Sequence, residues 1–248
     1  MDWIWIVLLA LVVAPALLTP FVMRLSAWRP LDHGLKAVAE AEVPEDIRNN
    51  LAPLVADLRG VGFDFVTYVS MPGPEMVATT WFALLLHPAN KDMAIAVSMG
   101  PKVGLRFRYV EFSTEFTDGQ EINTLNSPQL GCFRDDPMKK KFPFPDVADA
   151  RVLYEAHRRL IREQFPAASP RLPWQGREVD EVAASMRKQM EKQVEYGYFD
   201  LDDTKQKFKP SWYGAHVMTW KLVWPIGWIR KAAARDRAEK TLKRLGLA

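Results

Sequence analysis

The chain opens with an apolar run, from Trp3 to Met23, that contains no charged side chain. At 1.5 Å of rise per residue, a helix over this run would be about 31 Å long, close to the roughly 30 Å hydrocarbon core of a bilayer. Pro15 and Pro20 interrupt the pattern, but membrane helices tolerate proline better than helices in water do. We therefore predict a transmembrane helix, with residues 1–25 as a single-pass membrane anchor.

The flanking charges predict how this helix is oriented. Asp2 precedes the run, whereas Arg24 and Arg29 follow it, and basic residues favour the cytoplasmic side. Aromatic side chains stand near both ends, as at membrane interfaces: Trp3, Trp5, Phe21 and Trp28. The alternative, a cleaved signal peptide, requires a basic segment and a shorter apolar core. The prediction is an inner-membrane (cytoplasmic-membrane) protein with its N-terminus outside and the bulk of the chain in the cytoplasm.

A juxtamembrane segment at 26–43 leads into a region, 44–147, that carries patterns of both helix and strand. The range 45–58 follows Pro44 and begins with two acidic residues, which favours a helix start. Its apolar side chains recur on one helical stripe: Ile47, Leu51, Leu54, Val55 and Leu58. We predict an amphipathic helix that buries this stripe.

Strand patterns follow the helix. Five stretches are rich in β-branched and aromatic residues or alternate between apolar and polar side chains: Phe63–Ser70, Met76–His87, Met93–Met99, Val103–Phe116 and Glu121–Asn126. Their connections are short, and short connections join antiparallel neighbours. Residues 44–147 are therefore predicted to form an α+β domain, with one helix packed on an antiparallel sheet of about five strands.

The rest of the chain favours helices. The range 127–146 contains four prolines and is predicted to be irregular, while 148–165 and 177–196 have helical apolar spacing. Residues 198–209 read as a small hairpin that turns at Asp202-Asp203-Thr204. We group 148–210 as a helical region with a small hairpin.

Residues 211–248 combine aromatic and basic side chains. Four tryptophans share an i+4 row with His216: Trp212, Trp220, Trp224 and Trp228. Lys221 and Pro225 argue against a second transmembrane span. We predict that this segment lies in the membrane interface and that the basic end, beginning at Arg230 and Lys231, contacts anionic lipid. The alternative is a Trp-rich helix packed on the folded domain.

Composition excludes several classes. The chain has 248 residues, a net charge of +3 and a single cysteine, Cys132, so an intramolecular disulfide is impossible. The charge is too small to indicate nucleic-acid binding by itself. The four histidines are scattered, at His33, His87, His157 and His216, and no phosphate loop or hydrolase motif occurs. We predict no catalytic, cofactor-binding or metal-binding residues, and no cofactor.

One basic run is a candidate contact. Lys139, Lys140 and Lys141 precede Phe142 and Phe144, and this group could bind an anionic partner. The alternative is a solvated loop.

Three functional hypotheses remain open. The first is a bacterial-type, membrane-anchored cytoplasmic interaction or scaffold module without catalytic activity, which contacts the lipid bilayer and an unknown protein partner. The second is an enzyme acting at the membrane on a lipid-linked or anionic substrate, and it requires carboxylates that converge with His157. The third is winged-helix-like binding of nucleic acid or protein by the C-terminal region. It rests on the order helix, hairpin, helix in 177–223, which is similar to the end of a winged-helix module. The mixed charge of the first helix argues against nucleic acid as the partner.

Overall fold

The computed structural model describes residues 3, 5, 17–72, 79–100, 107–171 and 176–247. These residues divide into two compact units, each assembled from separated stretches of the chain. The hairpin unit comprises 1–33, 131–135 and 184–233, and the sheet unit comprises 34–130, 136–183 and 234–248.

The described residues form ten strands and six α-helices. The strands are β1 (Arg29–Pro30), β2 (Lys36–Val38), β3 (Asp64–Met71), β4 (Thr80–His87), β5 (Asp92–Met99), β6 (Phe107–Glu115), β7 (Glu121–Leu125), β8 (Lys139–Pro143), β9 (Phe199–Asp202) and β10 (Lys207–Pro210). The helical residues 17–26 are called α1, and the other α-helices are α2 (Glu45–Gly60), α3 (Ala150–Gln164), α4 (Glu178–Glu195), α5 (Trp212–Leu222) and α6 (Ile226–Leu245).

The sheet unit is built on a seven-stranded sheet in the order β2-β3-β4-β5-β6-β7-β8. All neighbours are antiparallel except β7 and β8, which are parallel. Helices α2 and α3 pack against the sheet. The buried stripe of α2 consists of the five apolar residues that the sequence pattern predicts. Alternate strand residues such as Ala83, Leu85, Val110 and Phe112 complete this core, because successive side chains of a strand point to opposite faces.

The hairpin unit has a smaller sheet and its own core. Strands β9 and β10 form a hairpin, and β1 pairs with the outer edge of β10. Five buried side chains make the core: Met190, Tyr198, Phe199, Phe208 and Met218.

The structure corrects the membrane-anchor prediction, and with it the single-pass inner-membrane localisation. Among the described residues, no helix is long and apolar enough to cross a membrane. The described part of α1 covers ten residues, or about 15 Å at 1.5 Å per residue. Position 4 and positions 6–16 of the predicted span lie outside the described residues. The transmembrane prediction is therefore wrong for the part of the chain that the structure describes.

The predicted strand count is also wrong, although the α+β class is confirmed. Two edge strands, β2 and β8, were missed. The β8 residues fall in the proline-rich range that we expected to be irregular, and they gain order by pairing with β7 in parallel register, Lys139 opposite Glu121 and Phe142 opposite Thr124. Local propensity cannot reveal such a pairing because both partners must be brought together by the tertiary fold.

The C-terminal segment is two helices. Helix α5 ends at Leu222, and α6 begins after Trp224-Pro225, so the i+4 row of tryptophans is interrupted. Further along α6, Ala238, Leu242 and Leu245 pack against the core of the sheet unit. The basic end of the chain therefore has a buried apolar side, which the charge pattern alone does not indicate.

Candidate functional site

Exposed apolar side chains are concentrated in the hairpin unit. Among the described residues, Phe107 and Met138 are the only exposed large hydrophobic side chains outside it. Inside it, the exposed set includes seven tryptophans: Trp3, Trp5, Trp28, Trp212, Trp220, Trp224 and Trp228. Such a concentration makes the hairpin unit a candidate interaction region, because large exposed apolar patches are uncommon on soluble monomers.

Helix α1 contributes an apolar face to this exposed set. Its exposed apolar residues recur at helical spacing: Leu17, Leu18, Phe21, Val22 and Leu25. The Phe21 ring meets the Trp212 ring edge-on at 5.2 Å between centroids. The Arg24 guanidinium lies 4.9 Å from the Trp212 ring centroid. These contacts hold α1 beside the first turn of α5. We call these five side chains and the seven exposed tryptophans the Trp-rich surface.

Helix α5 presents two different faces. Gly214, Ala215, Met218 and Thr219 are buried. Trp212, His216 and Trp220 share the exposed face, one turn apart. The Ser211 hydroxyl accepts a hydrogen bond from the Gly214 N–H at 2.8 Å and caps the helix. The aromatic row on α5 is therefore held outward by packing on the opposite side.

A basic pocket of about 80 Å³ adjoins α1. Its cationic lining consists of Arg24, Lys205, Lys207 and Lys209, and Leu25, Trp28 and Asp202 complete it. In β10, Lys207 and Lys209 share one face because they are two residues apart, and their partners across the ladder are Asp202 and Asp200. The Lys207 ammonium lies 5.0 Å from the Trp28 ring centroid.

A buried polar network lies in the sheet unit. The Asp92 carboxylate accepts hydrogen bonds from the Thr114 hydroxyl at 2.5 Å and the Tyr154 hydroxyl at 2.8 Å. It also accepts two bonds from the Arg158 guanidinium, at 3.0 and 3.1 Å. His157 joins the network through Thr114, with Nε2 at 2.9 Å from Oγ1. Its Nδ1 lies 2.9 Å from the Thr124 hydroxyl.

The donors in this network define the state of His157. Because the Thr114 hydroxyl donates its hydrogen to Asp92, it accepts from His157, so Nε2 carries the proton. Nδ1 then accepts from the Thr124 hydroxyl, and the ring is neutral. Burial, and to a smaller extent the nearby Arg158 charge, lowers the pKa of His157 to about 3. Burial raises the pKa of Asp92, against the opposing effects of Thr114, Arg158 and Tyr154.

This network brings a carboxylate close to His157, as the enzyme hypothesis requires, but it does not expose them to a substrate. A carboxylate and His157 do converge, at Asp92. However, Asp92, Thr114, Thr124 and His157 are all completely shielded from solvent. The carboxylate contacts Thr114 rather than the imidazole, so it does not orient the histidine as in a catalytic triad. The arrangement supports the helix-on-sheet packing of α3, not substrate binding.

The predicted anionic-partner contact is divided by the fold. Lys139 forms an ion pair with Glu121 at 2.6 Å. The Lys140 ammonium donates to Gln164 Oε1 at 3.3 Å and lies 4.8 Å from the Phe165 ring centroid. Lys141 is exposed. Lys139 and Lys141 are two residues apart in β8 and share one face of the strand, whereas Lys140 lies on the other face. The contact with an anionic partner stays a prediction.

The other predicted contact residues have different surroundings. Arg29 lies in β1, opposite Phe208. Arg230 donates to the carbonyl oxygen atoms of Lys221 and Gly131, at 2.8 and 2.9 Å. Lys231 is exposed. Arg230 thus ties the end of α5 to another stretch of the hairpin unit, which is a structural role.

The remaining candidates show no metal-binding geometry. Among the residues that the structure describes, no group of three or more His, Cys, Asp or Glu side chains could hold a metal ion. Cys132 is half-buried beside the hairpin core, and burial raises the pKa of its thiol. A thiol with a raised pKa is a poor nucleophile at neutral pH.

Sequence reasoning missed the basic pocket and Asp92. The signal for the pocket was present, because Lys205, Lys207 and Lys209 recur at every second residue through the turn and second strand of the predicted hairpin. Their proximity to Arg24 depends on the packing of α1, which no local pattern reveals.

Comparison with known protein families, curated proteins and solved structures finds no match to this chain.

Proposed function

We propose that this protein is a binding module rather than an enzyme, and that its hairpin unit docks reversibly on the surface of a lipid bilayer. One observation carries the proposal: nearly all exposed large hydrophobic side chains of the described residues lie in the hairpin unit. Docking of this kind requires no membrane-spanning helix, because interfacial side chains enter only the boundary between headgroups and acyl chains.

The composition of the Trp-rich surface favours lipid over a protein partner. Tryptophan is enriched at bilayer interfaces because its ring is apolar and its N–H is polar. The basic pocket lies at the edge of α1, whose exposed face is apolar. A protein interface usually depends on a few large side chains that fit into pockets of the partner, whereas a bilayer interface accepts many exposed aromatic rings at once.

The catalytic and nucleic-acid alternatives have weaker support. The Asp92–His157 network is closed to solvent, and the basic pocket contains no histidine or cysteine. In α4, which would be the recognition helix, acidic residues occupy the first turn, where they would repel a phosphate backbone.

Sedimentation with phosphatidylcholine vesicles tests the proposal. The full chain should pellet with neutral vesicles, and its tryptophan fluorescence should shift to shorter wavelength. The variant Trp220→Ala/Trp224→Ala/Trp228→Ala should bind at least about tenfold more weakly, because it removes exposed apolar area.

The matched control is Phe107→Ala/Met138→Ala, which removes exposed hydrophobic side chains from the sheet unit. It should bind like the unmodified chain. The proposal is wrong if the chain stays in the supernatant with every vesicle, or if the two variants bind equally. Gel filtration of the same samples tests whether the Trp-rich surface instead binds a second copy of this chain. In that case the unmodified chain would be an oligomer and the tryptophan variant a monomer.

A further inference from the structure

The basic pocket of the hairpin unit has features of an anion site. It is a concavity of about 80 Å³ with four cationic residues and one carboxylate in its lining. A phosphate group is of comparable size to this volume and would face several N–H donors. Leu25 and Trp28, which belong to the Trp-rich surface, also line the pocket. The charged concavity and the apolar surface therefore share an edge.

The fold holds these cations in place from two directions. Arg24 projects from α1 and forms an ion pair with Asp200 at 3.3 Å, and it also donates to the Pro210 carbonyl oxygen. The lysines come from β10 and the turn before it. The alternation of β10 places Phe208 on the opposite face, where it is buried in the core. Core packing of Phe208 thus directs Lys207 and Lys209 to the pocket side.

The acidic groups nearby do not neutralise the pocket. Asp200 is engaged by Arg24. Asp202 accepts a hydrogen bond from the Lys205 backbone N–H at 3.1 Å, and this bond lowers the pKa of its carboxyl group. In the described part of the chain, the Lys205 and Lys209 ammonium groups have no carboxylate within ion-pair distance, and Lys207 faces the Trp28 ring. The Asp202 charge also acts on Lys205 and Lys207, but the four cationic side chains outnumber the two carboxylates, so the pocket keeps a net positive charge.

We infer that this pocket binds the phosphate group of an anionic phospholipid, whose acyl chains lie along the exposed face of α1. The inference rests on the proposed docking of the hairpin unit at a bilayer. The adjoining apolar face identifies the source of the phosphate, because lipid phosphates lie immediately above an apolar layer. A net-positive pocket favours lipids with net negative charge over zwitterionic ones.

Vesicle binding with and without an anionic lipid tests the inference. The full chain should bind phosphatidylcholine vesicles containing about one third phosphatidylglycerol roughly a hundredfold more tightly than pure phosphatidylcholine, and salt should reduce this preference. The variant Lys205→Gln/Lys207→Gln/Lys209→Gln should lose most of the preference, by about fivefold per lysine, and the ratio of anionic to neutral vesicle binding is the quantity compared.

The matched control is Lys36→Gln/Lys140→Gln/Lys141→Gln, which removes three lysines from the sheet unit. It should keep the preference for anionic vesicles. The inference is overturned if this control loses the preference, or if the pocket variant retains it. Circular dichroism and a thermal melt establish that both variants are folded.

Two further outcomes separate this inference from the docking proposal. If the chain binds neutral and anionic vesicles equally, the docking stands and the pocket inference fails. If it binds only anionic vesicles and the tryptophan variant binds them like the unmodified chain, the docking proposal fails. A titration with glycerol phosphate, without vesicles, identifies a free phosphate ester as the ligand if binding occurs at micromolar concentration, and that result would overturn the lipid assignment.

Discussion

His157 lies in the sheet unit as a neutral imidazole with a threonine hydroxyl at each ring nitrogen. Asp92 sets the direction of the hydrogen bonds because an ionised carboxylate only accepts. A buried ring with both nitrogen atoms occupied resists protonation, which agrees with its lowered pKa of about 3. A side chain that looked like a catalytic candidate in the sequence is, in the structure, a buried connector between α3 and two strands.

Acid should therefore destabilise the fold through His157. Its folded pKa, about 3, lies below the unfolded value of 6.5, so the unfolded chain takes up the proton first. Stability should be lost as the pH falls below 6.5, at up to about 1.4 kcal/mol per pH unit. Urea unfolding of the unmodified chain and of His157→Gln, at several pH values between 7 and 4, measures this slope.

Comparison of the two proteins separates the pH dependence caused by His157 from that caused by Asp92. Burial raises the pKa of Asp92 in the folded state, so protonation of this carboxyl group stabilises the fold as the pH falls. This contribution is present in both proteins. His157→Gln should be less stable at pH 7 but should depend less on pH. Parallel stability curves for the two proteins would contradict the assignment of a neutral, buried imidazole.

At the scale of elements, α5 and the small sheet approach each other unusually closely. Gly214 makes this possible, since a Cβ at that position would lie 1.9 Å from the Tyr198 carbonyl oxygen. That oxygen accepts a hydrogen bond from the Ser211 N–H at 3.0 Å. The cap of α5 and the start of β9 are thus tied together, and the exposed row of Trp212, His216 and Trp220 depends on this contact.

Gly214→Ala should destabilise the hairpin unit by about 2–3 kcal/mol or more, because backbone atoms must move to admit the methyl group. The measurement is chemical unfolding followed by tryptophan fluorescence. Gly131→Ala is the matched control in the same unit, since nothing lies within 4 Å of the Cβ it would add. Equal stability of the two variants would show that the close approach is not required.

At the scale of the whole molecule, the main hydrophobic core of each unit serves a different purpose. The sheet-unit core buries the stripe of α2 and the apolar side of α3 against the seven-stranded sheet. The hairpin-unit core is smaller and leaves most of its aromatic residues outside. The larger core is a scaffold, and the smaller one holds the Trp-rich surface and the basic pocket.

Substitutions in each core should act mainly on its own unit. Phe112→Ala and Phe208→Ala each remove a fully buried ring and should each cost about 3–5 kcal/mol locally. Hydrogen exchange read by mass spectrometry should show faster exchange of the sheet-unit amides in the first variant and of the hairpin-unit amides in the second. Equal loss of protection across both units in either variant would contradict separate cores.

The sequence predicts those helices and strands whose own side-chain pattern favours that structure. The stripe of α2, the alternation in β3 to β7 and the hairpin of β9 and β10 all repeat at the period of a helix or a strand. The strands β1, β2 and β8 are too short or too polar to have such a pattern. They become strands because a partner edge offers unpaired N–H and C=O groups.

The sequence by itself determined the α+β class, the absence of a disulfide and the clustering of tryptophans in 212–228, since these follow from composition and local periodicity. Tertiary structure decided which side chains meet. It enclosed Asp92 with His157, directed Lys207 and Lys209 to the same pocket as Arg24, and placed Lys140 on the opposite face of β8 from Lys139 and Lys141. It also overturned the transmembrane interpretation among the described residues. Residues distant in sequence come together only through core packing and strand pairing, and a reading based on local pattern does not contain those contacts.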